Sequence, residues 1–212
     1  MLLPGIVAFY LYDCALLLYA DEVVFAQPLR RWRAALGDGA TWQGRFLAFP
    51  AVFAPGAPVF RAVWSDGGRR RVPVTGRVLA VLCPLRWVAW LVAFALFALV
   101  PLALLLHVSQ AWLLGLLALI YLPTLLAVAH LARHRAALRL AGSDLAMIAF
   151  DVLACPPFAL NLVRRVTLRY GLSQPVAAFA ETVLDDGAKA RLALAMQARR
   201  ALLADDSAGE SA

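Results

Sequence analysis

The chain has 212 residues, 63% of them hydrophobic and only 16% charged, with a mean hydropathy of +0.77. A soluble domain carries roughly 25% charged residues, so this composition excludes a disordered chain, a coiled coil and an ordinary soluble enzyme. It leaves an α-helical integral membrane protein with a modest water-facing part.

Twenty Lys+Arg stand against thirteen Asp+Glu, for a net charge of +7. In a soluble protein that excess would suggest nucleic acid. No nucleic-acid motif is present, and basic residues collect in the cytoplasmic loops of membrane proteins, so no nucleic-acid partner is expected. All the basic residues except Lys189 are Arg, the side chain that best suits anionic lipid headgroups. Cys14, Cys83 and Cys155 are odd in number and widely spaced, and no CxxC occurs. Neither a disulfide framework nor a zinc knuckle is available, and a reducing setting fits them. The first residues lack a basic n-region, so a cleaved signal peptide is not expected.

Taken in order, residues 2–20 form an apolar segment long enough to cross a bilayer but weakened by Pro4-Gly5 and Asp13. The reading leaves open whether it spans or lies shallow. Residues 21–77 change character and predict a small antiparallel β subdomain. EVVFAQ (22–27) and RFLAF (45–49) read as strands, with Gly and Pro turns between. VFRAVW (59–64) and RRRVPVT (69–75), joined through Asp66-Gly67, predict a hairpin whose second strand Pro73 confines to an edge.

Membrane helices are expected within 78–170. Residues 87–108 and 111–132 carry no charge and form two firm spans, joined by a Ser109-Gln110 link that forces an antiparallel hairpin. Trp87 and Trp90 mark one water interface and Trp112 the other. Pro101 is placed to kink the first span. After Arg133, Arg135 and Arg139, Ser143 is read as an N-cap. The segment 145–163 contains Asp151 and Asn161 and is broken at Cys155-Pro156-Pro157. A cytoplasmic helical tail over 171–204, with helices near 174–185 and 188–204, precedes a disordered tail at 205–212.

Ten Arg lie between residues 26 and 86, three in the 133–144 link and none in the 109–110 turn. The positive-inside rule places the β subdomain and the 133–144 link in the cytoplasm. If 145–163 crossed, the basic run Arg164, Arg165, Arg169 would land outside. The charge bias therefore favours an element that turns at the Pro-Pro break and returns to the cytoplasmic face, its backbone covered by protein.

Asp151 is the sharpest candidate for function, because a carboxylate within an apolar segment needs a partner or a task. Cys155 lies one helical turn on, with Asn161 and Arg164 beyond the break, and Asp13 repeats the theme in the first segment. Such a group could bind a cation, relay protons or hold a headgroup. The blander alternative pairs Asp151 with Arg164 or Arg86 to lock helix ends, and sets Asp13 near water beside a tyrosine. Arg69, Arg70 and Arg71, with Arg164 and Arg165, are candidate contacts for anionic lipid or a partner. His130 and His134 have i, i+4 spacing, but Arg133 and Arg135 disfavour a cation there, so no metal site is expected, and no cofactor. The helix at 188–204 could lie on the membrane, dock on a partner or pack on the β subdomain.

No phosphate-loop, dinucleotide, nucleophile-elbow or zinc-protease motif occurs. The sequence therefore favours a non-catalytic accessory or scaffold subunit of a bacterial inner-membrane complex. Its partners would be membrane lipids and another membrane protein or further copies of itself. A small homo-oligomeric transporter or channel using Asp13 and Asp151 is the alternative, and an enzyme acting on a lipid-linked substrate the third.

Overall fold

The computed structural model describes residues 2–28, 31–37, 39–64, 72–73, 76–172 and 175–209. They fall into two compact units, each assembled from separated pieces of chain.

The helical unit holds the chain up to Cys14, Val52–Pro58 and the stretch ending at Thr167. It opens with α1 (Leu2–Cys14). The first long helix comprises α2 (Gly76–Phe94), a π-helical turn (Ala95–Leu99) and α3 (Val100–Leu105). It starts eleven residues before the expected span at 87. Arg77 and Arg86 argue against hydrocarbon there but not against helix, and composition reports only the former. Pro101 cannot donate to the carbonyl one turn back. The wide turn just before it absorbs this, with Val100 N–H bonding the Ala95 carbonyl in the five-residue pattern.

A short link at residues 106–109 leads into α4 (Gln110–Arg133), which returns along α2. A His130 ring nitrogen lies 2.9 Å from the Val81 carbonyl and ties the end of α4 to α2. The Thr124 hydroxyl donates to the Ile120 carbonyl at 2.7 Å, so this buried polar group is satisfied within its own helix. Next comes α5 (Gly142–Ala154), capped at Ala141 rather than at Ser143. Its C-terminal neighbour Cys155 is extended (φ −137, ψ 94), as a residue before proline prefers, and the helix stops there. A 3-10 turn (Pro156–Asn161) and the short α6 (Leu162–Thr167) complete the unit.

Among the described residues two helices, Gly76–Leu105 and Gln110–Arg133, are long and apolar enough to cross a membrane. A core helix of a soluble protein would also pass that test, but it would be buried. Here only 33% and 17% of the two apolar windows are covered by protein. At 13 residues each, α1 and α5 reach only about 20 Å, short of a bilayer's roughly 30 Å hydrocarbon core.

The β-rich unit holds Ala15–Ala51, Val59–Pro73 and the chain from Leu168 onward. Its strands are β1 (Leu16–Leu18), β2 (Glu22–Ala26), β3 (Arg33–Ala35), β4 (Thr41–Trp42), β5 (Arg45–Ala48), β6 (Val59–Val63), β7 (Val72–Pro73) and β8 (Tyr170–Gly171). They form a three-stranded sheet of order β1-β5-β4 and a five-stranded sheet of order β3-β2-β6-β8-β7. The helices α7 (Val176–Val183) and α8 (Asp186–Gly209) belong to the same unit. Val23, Phe25 and Ala62 of the larger sheet pack with Val176, Ala180, Leu184 and Leu192 of the C-terminal segment. Phe179 meets both Phe25 and Trp32 edge-on, at 5.0 and 5.3 Å.

Four expectations are corrected here. The apolar segment 2–20 is not one helix: Leu16–Leu18 pairs antiparallel with Phe46–Ala48. A run of leucines serves either element, so hydrophobicity alone cannot place the boundary. The expected hairpin at 59–75 is interrupted, because β8 lies between β6 and β7 and pairs parallel with both. The larger sheet is therefore mixed, although Pro73 does sit on its edge strand. Residues 65–71, which contain the expected turn, lie outside the described residues. Finally, α8 runs on to Gly209, into the tail read as disordered.

Arg199 fastens α8 from within. It is 6% exposed, donates to the Leu36 and Tyr19 carbonyls, and stacks 3.4 Å over the Phe46 ring. Burial pulls its guanidinium below the ordinary arginine pKa, so these contacts must offset a desolvation cost. Charge-assisted hydrogen bonds contribute roughly 1.5–3 kcal/mol each. Arg199→Met is expected to destabilise the protein by about 2 kcal/mol and to expose α8. Limited proteolysis of the purified protein, compared with the exposed Arg191→Met, checks this.

Candidate functional site

Asp13 lies one residue before the end of α1, and Asp151 in the last turn of α5. Each therefore adds a negative charge where the helix already presents its negative pole. Such an arrangement stands only with a cation between the two ends.

Arg165 of α6 is that cation. Its Nη2 lies 2.8 Å from Asp13 Oδ1 and its Nη1 lies 2.7 Å from Asp151 Oδ2. The guanidinium stacks 3.9 Å over the Phe158 ring, which packs in turn against Phe9 at 5.0 Å. Asn161 Nδ2 donates to Asp13 Oδ2 at 2.9 Å, and its Oδ1 faces the buried Cys14 thiol at 3.9 Å. Arg164, 3% exposed, donates to the Asp13 backbone carbonyl at 3.4 Å. Two carboxylates and two guanidinium groups bring the group to neutrality. One atom stays unmatched: Arg165 Nε is buried with no hydrogen-bond partner among the described residues.

The position of this group along the helical hairpin follows from its neighbours. Asn161 follows Leu160, whose carbonyl accepts from Gly56 N–H at 3.0 Å. Gly56 in turn rests on Arg86 and Ala89 of α2. Further along, Tyr10 packs edge-on against Phe97 at 5.7 Å. Gly56 and the 3-10 turn beside it thus lie against the stretch of α2 that contains Trp87. From Trp87 to Leu105 the helix rises about 28 Å, close to the thickness of a hydrocarbon core.

Of the residues singled out in the sequence, Asp13, Asn161, Arg164, Arg165 and Asp151 come together. The partner of Asp151 is Arg165, not Arg164 or Arg86. Asp13 takes Asn161 and Arg165 rather than a tyrosine; the Tyr10 hydroxyl donates instead to the Val52 carbonyl at 2.6 Å. Cys155 stands just past the end of α5, its N–H closing the last turn on the Asp151 carbonyl. Arg164 is buried, and Arg165, partly exposed, is engaged by both carboxylates. Arg69, Arg70 and Arg71 lie outside the described residues. His130 and His134 stack with ring centroids 4.6 Å apart, and no group of three or more metal-ligating side chains occurs among the described residues.

Phe158 and Gly56 were not singled out in the sequence. A phenylalanine in an apolar run carries no signal of a cation above it. Pro50, Pro55 and Pro58 mark an irregular connection in the sequence, but not that it packs on α2.

Chemically, the arrangement is a clamp joining the ends of α1, α5 and α6. Arg165 neutralises both carboxylates, which disfavours a second cation beside them. No family model, no curated protein and no solved structure matches the chain.

Proposed function

We propose that this chain is a non-catalytic accessory or scaffold subunit of a bacterial inner-membrane complex. The observation that carries the reading is the Asp13–Arg165–Asp151 bridge. The acids that a small transporter or a lipid-processing enzyme would use are engaged in holding three helix ends together. The sparse cover over the two long apolar helices supports a lipid surround. The ten Arg between residues 26 and 86 and the three in the 133–144 link, against none at the hairpin tip, support a cytoplasmic placement for the β-rich unit. In this reading that unit presents the docking surface, and the partner is another membrane protein, or a second copy, within the bilayer.

Purification of the tagged chain at native expression in mild detergent, with mass spectrometry of what accompanies it, tests the proposal. A stoichiometric partner is expected. A clean homo-oligomer, together with an Asp151→Asn variant that is fully abundant but inactive in whole cells, would overturn it in favour of transport.

A further inference from the structure

The Val52–Pro58 segment belongs to the helical unit although both its sequence neighbours belong to the β-rich one. It is irregular backbone, yet Pro55–Pro58 is buried. Within Pro55–Pro58 the backbone donors are accounted for. Pro55 and Pro58 have no N–H, Gly56 N–H bonds the Leu160 carbonyl at 3.0 Å, and Ala57 N–H bonds the Ala54 carbonyl at 3.1 Å. The segment is also held at two points, by Gly56 against Arg86 and Ala89 and by the Tyr10 hydroxyl on the Val52 carbonyl.

From this fixed loop Phe53 projects with 94% of its surface exposed. Gly56 seats the loop against Arg86 and Ala89, on either side of Trp87, itself 77% exposed on α2. Aromatic rings collect at that level in membrane proteins. We propose that Val52–Pro58 is a wedge that seats Phe53 in the headgroup–acyl boundary of the bilayer, beside Trp87. The helical unit would then meet lipid through a loop as well as through its helices. The inference rests on the membrane reading above, and its test separates the two.

The photoreactive analogue p-benzoylphenylalanine is placed at position 53, at Leu117 in the middle of α4 and at the exposed Glu181 of α7, in the full chain. Each protein is reconstituted into nanodiscs of phosphatidylethanolamine and phosphatidylglycerol, irradiated, and examined by mass spectrometry for lipid adducts. Position 53 should give adducts at least fivefold above position 181 and within about threefold of position 117. Adducts at 117 with only the 181 level at 53 would overturn the wedge and leave the membrane reading standing. The 181 level at both 117 and 53 would overturn both. Since Phe53 is almost wholly exposed and the analogue is itself aromatic, folding is unaffected by the replacement.

Discussion

Arg165→Leu is expected to destabilise the protein by about 3 kcal/mol and to deplete it from membranes at native expression. The loss would come less from the missing attraction than from what is left behind. Asp13 and Asp151 would face each other's fields and two helix C-termini with only Arg164 nearby, and Arg164 reaches a backbone carbonyl rather than a carboxylate. Breaking one side of a buried ion pair typically costs 3–5 kcal/mol, and the bridge is part-exposed, which sets the value at the low end. Arg165→Lys should recover only part of the loss. An ammonium cannot serve two carboxylates through a rigid fork while lying flat on Phe158. Membrane abundance by immunoblot and the thermal midpoint in detergent read both variants. Wild-type values for Arg165→Leu would show that the bridge contributes nothing to the fold.

The second large effect is expected at Gly56. Its φ is +72, which any L side chain resists, and a Cβ there would stand 2.9 Å from Arg86 Cα and 3.0 Å from Ala89 Cβ. Backbone strain of roughly 1–2 kcal/mol and overpacking of roughly 1–3 kcal/mol add up to about 3 kcal/mol for Gly56→Ala. Neither obstacle can move cheaply, since one is main chain and both sit on a helix. Gly44 supplies the control: its φ is +73, but a Cβ there meets nothing within 4 Å. Gly44→Ala should therefore lose only the backbone part, about 1 kcal/mol. Thermal midpoints that fall equally for the two variants would show that the loop does not press on α2.

What could be read from the residues, and what could not, divides along physical lines. Uncharged runs of more than 20 residues announced the two long helices, because water-exposed chain of that length almost always carries a charge. Cys155-Pro156-Pro157 announced a break because proline acts locally on its own turn and on the residue before it. Pro73 announced an edge for the same reason. Signals of this kind need no knowledge of the fold. The choice of Arg165 over Arg164 for Asp151 does need it. The two arginines are adjacent and chemically identical, and which one meets the carboxylates depends on the rotation of α6 after the 3-10 turn. The bond from Arg165 to Asp13 joins residues 152 apart, and no local pattern encodes a separation of that kind. The insertion of Tyr170–Gly171 between β6 and β7 is likewise a long-range event carried by two residues, too short to register as a strand by composition.

If Asp13, Asp151 and Arg165 hold the fold rather than move a substrate, removing the Asp151 and Arg165 charges together must cost less than removing Arg165 alone. The pair removal leaves Asp13 and Arg164 balanced, whereas losing Arg165 alone leaves one carboxylate in excess. The decisive measurement compares Arg165→Gln with the double variant Asp151→Asn, Arg165→Gln, both expressed from the native locus. Membrane abundance and recovery of the co-purifying partner are the readouts. The structural account expects Arg165→Gln to be depleted severalfold, and the double variant to recover most of the wild-type abundance with the same partner bound. An Arg165→Gln protein as abundant as wild type, with a double variant that is abundant yet leaves cells behaving as if the chain were deleted, would contradict it.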